Sequence, residues 1–558
     1  MGRNQSKIKR HKEDVRSMNE ELTHQVIQSC ISSGVIEFVV CAGSRNSSFI
    51  EALRLEEQLT TYYWPEERSA AFFALGRSKL TGKPVAIVTT SGTATAELLP
   101  TAMEAFYAGI PLVLITADRP QIFRGSGAPQ SAEQVGLYGH YVQFCLDIAA
   151  PCDCLLEKWQ QKIPVHLNVC LDEPQKQLPF QGKKFVFEIK EKKLKSFDLI
   201  DAKHKLDNFI KHVNNPIAIV STLRPEARES VVKLLLALEI PVMLEGISGL
   251  REDPRLQSVS IKRTDKVLET ATTAGYPIDG VLRIGGIPTH RIWRDLEYLE
   301  DKVRVCVLSD MPFSGLSWSH CVAEAPIDQL LKSFVPCKSF GSIRAKYWLN
   351  EENEFHAKLT DLLDEEKNAE PSLMHALSKQ IPQDANIYLG NSLPIRQWDM
   401  AALRENKNWA LNANRGVNGI DGQLSTFLGL CQQKRDNWGI FGDLTTLYDM
   451  AGLWILPQLK ETPVKIVVIN NGGGKIFERM YPYKEMLNEH CLSFGPLAEM
   501  WSLDYTCLNK ENNYQNNSES STRQLIEIIP EEAATKRFWS RYAKIDDNKS
   551  ALSYASTV

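Results

Sequence analysis

The chain has 558 residues, of which 43% are hydrophobic, and its formal net charge at pH 7 is −4. This length suits about three domains of ordinary size. The small net charge argues against nucleic-acid binding, which favours a markedly basic domain, and the absence of an apolar run of about 18 residues argues against a membrane span. The twelve cysteines are scattered, and the polar, basic residues 1–16 do not resemble a secretory signal, so a cytoplasmic protein is expected.

In chain order, helical patterns alternate with short β-rich segments in three blocks. The first block, residues 1–181, contains predicted strands at 35–40, 84–90, 111–116 and 165–171. The second, residues 197–345, contains them at 216–221, 241–244, 280–284 and 303–308. The third, residues 370–558, contains them at 386–389, 409–412, 438–441 and 464–469. The alternation predicts an α/β protein of three doubly wound, parallel-sheet domains.

Two polar segments lie between or after these blocks. The Lys-rich residues 182–196 are typical of a linker. The Asn-, Glu- and Ser-rich residues 509–522 are typical of an exposed, disordered insertion.

Two segments in the third block end apolar runs with residues that can bind a metal. Gly442-Asp443-Leu444 follows the run 438–441, and Asn470-Asn471-Gly472-Gly473-Gly474 follows the run 466–469. Open α/β sheets bind ligands at the ends of their strands. Carboxylate, amide and carbonyl oxygens are hard ligands that suit Mg²⁺ bridging a diphosphate. The alternative is two ordinary βα turns with an Asp helix cap and a glycine loop.

A pair of carboxylates, Glu66 and Glu67, lies at the start of a helical pattern over residues 66–80. Taken alone, Glu67 would merely complement the dipole of that helix.

Short motifs along nearly the whole chain resemble the thiamine diphosphate enzymes of the pyruvate oxidase and acetolactate synthase type, and within them the synthases of menaquinone biosynthesis. The motifs are Gly43-Ser44-Arg45, Glu67-Arg68, Thr90-Ser91-Gly92-Thr93-Ala94, Thr116-Ala117-Asp118-Arg119-Pro120, Gly127-Ala128-Pro129-Gln130, Gly390-Asn391-Ser392, Asn414-Arg415-Gly416, Gly419-Ile420-Asp421-Gly422 and Gly442-Asp443-Leu444. Each motif alone is weak, but their order and spacing together are specific. The resemblance implies pyrimidine-binding, central and diphosphate-binding domains, in that order.

The resemblance also implies thiamine diphosphate and Mg²⁺, or Mn²⁺, as cofactors. Glu67 would be the carboxylate beside N1′ of the aminopyrimidine, and burial would favour proton sharing with the ring nitrogen. Asp443, Asn471 and the carbonyl of Gly473 would hold the metal, with Asn470 as a rival ligand. Ile420 would support the bent form of the cofactor, although core packing would explain it equally well. The remaining residues matched to the cofactor are Thr90, Gly92, Ser392, Gly442 and Leu444.

The substrates implied by the resemblance are 2-oxoglutarate and isochorismate, each with two carboxylates. Arginine suits them because its planar guanidinium forms bidentate, charge-assisted hydrogen bonds. Ser44, Arg45, Arg119, Gln130 and Arg415 match the isochorismate side, Ser392 and Arg396 match the succinyl side, and Arg291 takes the place of a family Lys. Those expected to act in catalysis are Glu67, Ser44, Arg45, Gln130, Ser392, Arg396 and Arg415. Each Arg alone would more often be a surface ion-pair partner.

A homodimer or homotetramer is expected, because the resemblance implies a site shared by Glu67 of one subunit and Asp443 of another. Two alternatives remain open on the sequence. One is a thiamine diphosphate enzyme acting on other 2-oxo acids such as pyruvate, and the other is a non-catalytic relative of the same fold.

Overall fold

The structure is a computed structural model that describes residues 2–173, 184–190, 197–319, 321–341, 343–481, 483–509 and 522–547. Residues 510–521 of the predicted insertion 509–522, and residues 182–183 and 191–196 of the predicted linker 182–196, lie outside the described residues. The twelve cysteines are free thiols. Among the described helices, none combines the length and apolar character that a bilayer crossing requires.

The first sheet is formed by six parallel strands. They are β1 (Glu37–Cys41), β2 (Thr60–Trp64), β3 (Val85–Thr89), β4 (Leu112–Asp118), β5 (Cys145–Ile148) and β6 (Val165–Cys170). The helices of this block are α1 (Gly2–Ser32), α2 (Ser47–Arg54), α3 (Glu67–Thr81), α4 (Thr93–Ala96) and α5 (Leu99–Ala108). The strand order is β2-β1-β3-β4-β6-β5. The four inner strands are buried along their whole length, as parallel strands covered on both faces must be.

The second sheet repeats this plan. Its strands are β7 (Pro216–Val220), β8 (Val242–Leu244), β9 (Ser260–Ile261), β10 (Gly280–Ile284), β11 (Arg304–Ser309) and β12 (Val322–Glu324). The accompanying helices are α6 (Leu199–Lys211), α7 (Pro225–Leu238), α8 (Val267–Thr273), α9 (Arg291–Asp295), α10 (Ile327–Leu331) and α11 (Ile343–Glu365). The strand order is β12-β11-β10-β7-β8-β9, all parallel.

The third sheet has the order β14-β13-β15-β16-β18-β17, again all parallel. These strands are β13 (Asn386–Leu389), β14 (Ala410–Asn412), β15 (Asn437–Gly442), β16 (Val464–Ile469), β17 (Asp504–Leu508) and β18 (Arg523–Ile528). The helices are α12 (Glu370–Gln380), α13 (Leu393–Ala401), α14 (Gln423–Leu430), α15 (Asp443–Tyr448), α16 (Gly495–Met500) and α17 (Glu532–Asp547).

The three sheets confirm the predicted fold class, and each of the twelve predicted strands coincides with an observed one. The prediction missed β2, β5, β9, β12, β17 and β18. Five of these six are edge strands. Four of these edge strands, β2, β5, β12 and β17, are partly exposed and therefore lack the continuous apolar run that marks an inner strand. The fifth, β9, is buried but only two residues long.

By internal contacts the chain divides into two compact units. The first contains Met1–Lys195, Asn414–Leu430 and Tyr448–Lys460, and therefore the first sheet together with α14. The second contains Ser196–Ala413, Cys431–Leu447 and Glu461–Val558, and therefore the second and third sheets. The domain boundaries 1–181, 197–345 and 370–558 stay predictions.

Candidate active site

In the first unit, the sequence motifs lie at the carboxyl edge of the sheet. The Ser44 loop follows β1, Thr90 follows β3 and Arg119 follows β4. Strands β1 and β3 are neighbours, yet β2 lies between them in sequence, so the chain reverses direction across the sheet there. Such a switch point opens a crevice for ligands. Gly43 lies so close to Thr90 in this crevice that a Cβ would collide with the threonine side chain, which explains the glycine of the Gly-Ser-Arg motif.

Two of the predicted substrate arginines converge on one carboxylate. Arg45 is buried and donates to the carbonyl of Leu171 at 3.2 Å and to Glu173 Oε1 at 2.7 Å. Arg119 Nη1 lies 3.5 Å from the same oxygen, and its Nε donates to the carbonyl of Pro129 at 2.9 Å. The Arg45 hydrogen bond lowers the pKa of Glu173. The two arginines therefore contact a carboxylate of the chain itself, and their role in binding a substrate stays a prediction.

The adjoining loops bring Gln130 next to Gly92. Gln130 is exposed and has a left-handed backbone, with φ of 54°. Gly92 has φ of 87° and donates its N–H to Gln134 Oε1 at 2.8 Å. Ser44 is also exposed. Side chains of Ser44 and Gln130 are thus open to a ligand at this edge.

Glu66, rather than Glu67, caps helix α3. The Glu66 carboxylate accepts the backbone N–H groups of Arg68 at 3.1 Å and Ser69 at 2.8 Å. Glu67 is the first helical residue and is half-buried. Burial raises the pKa of Glu67; its own backbone N–H lowers it, and the charges of Glu66 and Glu97 raise it further. Helix capping therefore does not account for Glu67, which has the raised proton affinity that proton sharing requires.

A buried carboxylate, Asp449, fixes the start of α3. It accepts the Ser69 hydroxyl at 3.1 Å, the Ser425 backbone N–H at 2.7 Å and the Ser425 hydroxyl at 3.0 Å. Burial raises the pKa of Asp449 to about 6, although these donors oppose the shift. Arg68 stacks over Tyr448, 4.7 Å from its ring centroid. Through Asp449, Ser69 of α3 is connected to Ser425 of α14, which fixes α3 at a position two residues after Glu67.

The loop before α14 carries Arg415 and Ile420. The Glu104 carboxylate accepts the N–H groups of Gly416 and Val417, both at 2.8 Å, and so fixes the backbone beside Arg415. Glu104 is buried. Ile420 is half-buried farther along the same loop. Because α14 packs against α3, this loop belongs to the same compact unit as Glu67.

In the second unit, three neighbouring strands of the third sheet end in predicted site residues. Ser392 follows β13, Asp443 follows β15 and Asn471 follows β16. β13 pairs with β15, and β15 pairs with β16, where Gly442 lies opposite Ile469. The strand order reverses between β13 and β15, so this too is a switch point.

Asp443 is buried and holds the Asn-Gly-Gly turn. Its Oδ2 accepts the N–H groups of Gly472 and Gly473, both at 2.9 Å, and its Oδ1 accepts the N–H of Leu444 at 2.6 Å. His490 Nε2 lies 3.3 Å from Oδ2. Burial raises the pKa of Asp443, and these donors lower it. The carboxylate thus ties the ends of β15 and β16 together.

The two asparagines at the end of β16 differ in what their side chains do. Asn470 Nδ2 donates to the carbonyl of Leu492 at 2.8 Å and to Glu527 Oε1 at 2.6 Å, within the protein core. Asn471 Nδ2 donates to Glu370 Oε2 at 3.1 Å. Asn471 Oδ1 is buried and accepts no hydrogen bond from the described residues. A buried oxygen without a donor suits a cation, so the structure favours Asn471 over Asn470 as the ligand.

The glycines beyond Asn471 form a tight backbone cradle. Gly473 has φ of 143°, and a Cβ there would lie 2.5 Å from the carbonyl oxygen of Leu487. Only glycine fits this position. The donor set of a carboxylate, an amide oxygen and a nearby carbonyl, with a glycine cradle beside it, fits Mg²⁺ and a diphosphate.

Ser392 and Arg396 lie together at the start of α13. Ser392 has φ of 74°, which is strained for a residue with a side chain. Arg396 Nη1 donates to the Ser392 carbonyl at 2.5 Å. Strain of this kind is concentrated at functional sites.

Arg291 is placed differently from the other predicted arginines. Its side chain is 70% exposed, and its Nε lies 3.3 Å from Asp295 of the same helix. Its neighbour His290 is buried, with Nε2 3.3 Å from Asp399 of α13 and 3.9 Å from Glu245. Among the contacts of the described residues, His290 rather than Arg291 links the second sheet to the helix that carries Arg396.

Sequence reasoning missed the residues that hold the predicted ones. They are Glu104, Glu173, Glu370, Asp449 and His490. None lies in a recognisable motif, and each meets its partner only in the folded chain. What distinguishes these side chains is that they are buried or paired in the folded protein, and the sequence alone shows neither property.

The chain was also compared with known proteins. A family model described as the thiamine pyrophosphate enzyme, N-terminal TPP binding domain, matches residues 20–137. The chain is 39% identical over 530 residues to the 2-succinyl-5-enolpyruvyl-6-hydroxy-3-cyclohexene-1-carboxylate synthase of Bdellovibrio bacteriovorus, covering 94% of this chain and 98% of that one.

Two further relatives carry the same name. The enzyme of Akkermansia muciniphila is 34% identical over 533 residues, covering 93% of this chain and 97% of its own length. That of Lysinibacillus sphaericus is 30% identical over 567 residues, with the same coverage of 93% and 97%. The resemblance to thiamine diphosphate enzymes is confirmed. The chain belongs to the 2-succinyl-5-enolpyruvyl-6-hydroxy-3-cyclohexene-1-carboxylate synthase family of thiamine diphosphate-dependent enzymes.

Proposed function

We propose that the protein decarboxylates 2-oxoglutarate and adds the remaining four-carbon unit to isochorismate, in menaquinone biosynthesis, with thiamine diphosphate and Mg²⁺ as cofactors. The names of the relatives support this reaction. The structural observation that carries it is the buried Asn471 Oδ1 at the end of β16, beside the strand that ends in Asp443; this oxygen accepts no hydrogen bond from the described residues.

The metal is held, in this proposal, by Asp443, Asn471 and the Gly473 carbonyl. Mg²⁺, or Mn²⁺ in its place, would be held by these oxygens and would supply positive charge to neutralise the diphosphate. The carbonyl of Gly473 also accepts the N–H of Lys475 at 2.9 Å, which leaves its second lone pair for a ligand. Gly442 and Leu444 flank Asp443 and would shape the diphosphate pocket.

When bound, thiamine diphosphate supplies the electron sink that makes loss of CO₂ possible. The chain must then hold and move one proton. Burial raises the pKa of Glu67, which favours sharing a proton with a ring nitrogen. Thr90, Gly92 and Ile420 would contact the cofactor in the same unit as Glu67.

The substrates are bound, we propose, by arginine and hydroxyl groups. Arg45, Arg119 and Arg415, with Ser44 and Gln130, would bind isochorismate. Ser392 and Arg396 would bind the distal carboxylate of 2-oxoglutarate. Support comes from the convergence of Arg45 and Arg119 on one carboxylate oxygen and from the pairing of Arg396 with Ser392. Arg291 is exposed and pairs with Asp295, so its side chain would have to turn away from Asp295 before it could bind a substrate.

The protein would act in the cytoplasm as a homodimer or homotetramer in which Glu67 of one protomer works with Asp443 of its partner. Mixing inactive Glu67→Gln and Asp443→Asn protomers tests this arrangement. In a two-fold dimer the mixed species has one site with both changes and one intact site. About a quarter of wild-type activity should return after statistical mixing, and no recovery would mean that each site uses both residues of a single chain.

The main rival is a thiamine diphosphate enzyme that acts on pyruvate. CO₂ release from 2-oxoglutarate and from pyruvate, measured with purified protein, thiamine diphosphate and Mg²⁺, separates the two. The proposal expects a kcat/KM at least tenfold higher for 2-oxoglutarate, because pyruvate offers Arg396 no second carboxylate, and one charge-assisted hydrogen bond contributes about 1.5 to 3 kcal/mol. A preference for pyruvate would contradict it.

A further inference from the structure

Glu370 begins helix α12 and is almost fully buried. Each oxygen of its carboxylate accepts one side-chain amide: Oε2 from Asn471 at 3.1 Å and Oε1 from Gln397 at 2.8 Å. Its backbone N–H donates to the Thr535 hydroxyl at 3.1 Å. The carboxylate is therefore held in place by α12, α13 and α17.

This contact fixes which end of the Asn471 amide faces the cation site. An ionised carboxylate accepts hydrogen bonds and cannot donate them, which agrees with the observed arrangement in which the NH₂ end of Asn471 faces Glu370, with Nδ2 3.1 Å from Oε2. The oxygen end must then face away from Glu370. That oxygen is the atom that is buried without a donor among the described residues.

The contact also fixes the position of that oxygen. Asn471 follows the last residue of β16 by two positions and lies outside the helices and strands, and its Nδ2 donates to Glu370 Oε2 at 3.1 Å. Metal ligands are commonly oriented by a second group that holds their remaining polar atom. Glu370 is suited to this role because it is itself anchored by Gln397 and Thr535.

We propose that Glu370 is a positioning residue: through its hydrogen bond to Asn471 Nδ2 it presents Asn471 Oδ1 to the divalent cation. This inference rests on the proposed function, in which Asn471 is a metal ligand. Glu370 does not itself contact the metal. Its effect is on the Mg²⁺ concentration that thiamine diphosphate binding requires, rather than on the chemical step.

The test measures thiamine diphosphate binding by calorimetry at a fixed concentration of the cofactor while the Mg²⁺ concentration is varied. The measured quantity is the Mg²⁺ concentration at which binding reaches half of its maximum. Glu370→Met keeps the length of the side chain and removes the acceptor. It should raise the required Mg²⁺ concentration by roughly 10- to 100-fold, and excess Mg²⁺ should restore both binding and kcat.

Glu370→Gln separates the hydrogen bond from the charge. Its amide oxygen can still accept from Asn471. Once the Gln397 amide, whose Nε2 now donates to Glu370 Oε1, turns over, the new NH₂ can donate to Gln397 Oε1, which accepts no hydrogen bond from the described residues. This variant should stay close to the wild type. Glu478→Gln removes a partly exposed carboxylate that also acts electrostatically on Glu370, and it should change the Mg²⁺ requirement little.

Thermal unfolding of the cofactor-free proteins shows whether Glu370→Met folds. Should it not fold, Glu370→Asp, which is one methylene too short to reach Asn471, takes its place with the same expectation. An unchanged Mg²⁺ requirement in a folded variant would overturn the inference. So would equal losses in the Met and Gln variants, because charge would then be the cause. If the wild type binds thiamine diphosphate without any need for a divalent cation, the proposed function itself fails.

Discussion

The guanidinium of Arg45 donates a hydrogen bond to the Glu173 carboxylate at 2.7 Å, and Arg119 lies 3.5 Å from the same oxygen. Arg45 is buried, whereas the side chain of Glu173 is 65% exposed. The chain therefore places one of its own carboxylates where the proposed function places a carboxylate of isochorismate. An ion pair with one exposed partner contributes only about 0 to 1 kcal/mol, so a substrate carboxylate can displace it.

Glu173→Gln should therefore lower the KM for isochorismate several-fold and leave kcat nearly unchanged, because the substrate no longer competes with an internal carboxylate. Steady-state kinetics at saturating 2-oxoglutarate measures this. The exposed Glu157 provides the matched control, and Glu157→Gln should not change the KM. A higher KM in Glu173→Gln would mean that Glu173 assists binding.

The two adjacent carboxylates at the start of α3 should affect different properties when they are changed: Glu67 should affect turnover, and Glu66 should affect stability. Glu67→Gln should lower turnover by roughly 10²- to 10⁴-fold, the usual contribution of a positioned proton-transfer group, with the melting temperature preserved. Glu66→Gln should cost about 1 kcal/mol of stability through the weakened helix cap and keep most of the turnover. Activity and thermal unfolding of both variants test the pair. Full activity in Glu67→Gln would remove the proposed proton-transfer role.

Changes at the two asparagines at the end of β16 should also have different effects, one on the Mg²⁺ requirement and the other on stability. Asn471→Ala should raise the Mg²⁺ requirement of the enzyme, because it removes the buried oxygen proposed as a ligand. Asn470→Ala should instead lower the free energy of unfolding by about 1 to 3 kcal/mol, because Oε1 of the buried Glu527 loses its Asn470 donor. Metal titration and denaturant unfolding distinguish them. If Asn470→Ala raised the Mg²⁺ requirement and Asn471→Ala only lowered the stability, Asn470 would be the ligand instead.

His290 should make stability depend on pH. Burial lowers the pKa of His290, but the hydrogen bond to Asp399 and the charges of Glu245 and Asp265 outweigh burial and raise the pKa above its usual value. The folded state thus binds a proton more tightly than the unfolded state. The resulting stability is fully present below the unfolded pKa of about 6.5 and is lost as pH rises through the folded pKa.

His290→Gln should remove this pH-dependent loss of stability, which begins at about pH 6.5 and ends above the raised pKa of the folded state. Melting temperatures across that range measure the effect. The exposed His204 is the control, and His204→Gln should leave the decline unchanged. If His290→Gln follows the wild-type curve, the pair with Asp399 is not ionised in the folded protein.

The inner strands and the polar loops that follow them could be predicted from sequence because their signals are local. An apolar run such as 464–469 marks a buried strand, and the polar residues after it, such as Asn471, mark the sheet edge. Strand β18 was missed although it lies inside the sheet, because three of its six residues, Arg523, Gln524 and Glu527, are polar and interrupt the apolar run. The predicted helix 66–80 differs from α3 by one residue at each end, because Glu66 caps the helix.

The supporting contacts could not be predicted because they join residues far apart in sequence. Glu370 meets Asn471 across 101 positions, and Arg45 meets Glu173 across 128. Either carboxylate alone is indistinguishable from a solvated surface residue. The choice between Asn470 and Asn471 likewise depended on which amide the fold engages in the core.

The most direct test of the proposed reaction follows the ultraviolet absorbance of isochorismate with purified protein, thiamine diphosphate, Mg²⁺ and 2-oxoglutarate, omitting one component at a time. The account predicts that isochorismate is consumed only when every component is present, with CO₂ released in equal amount. Persistence of isochorismate while 2-oxoglutarate or pyruvate still loses CO₂ would contradict it and assign the chain to a different reaction of thiamine diphosphate.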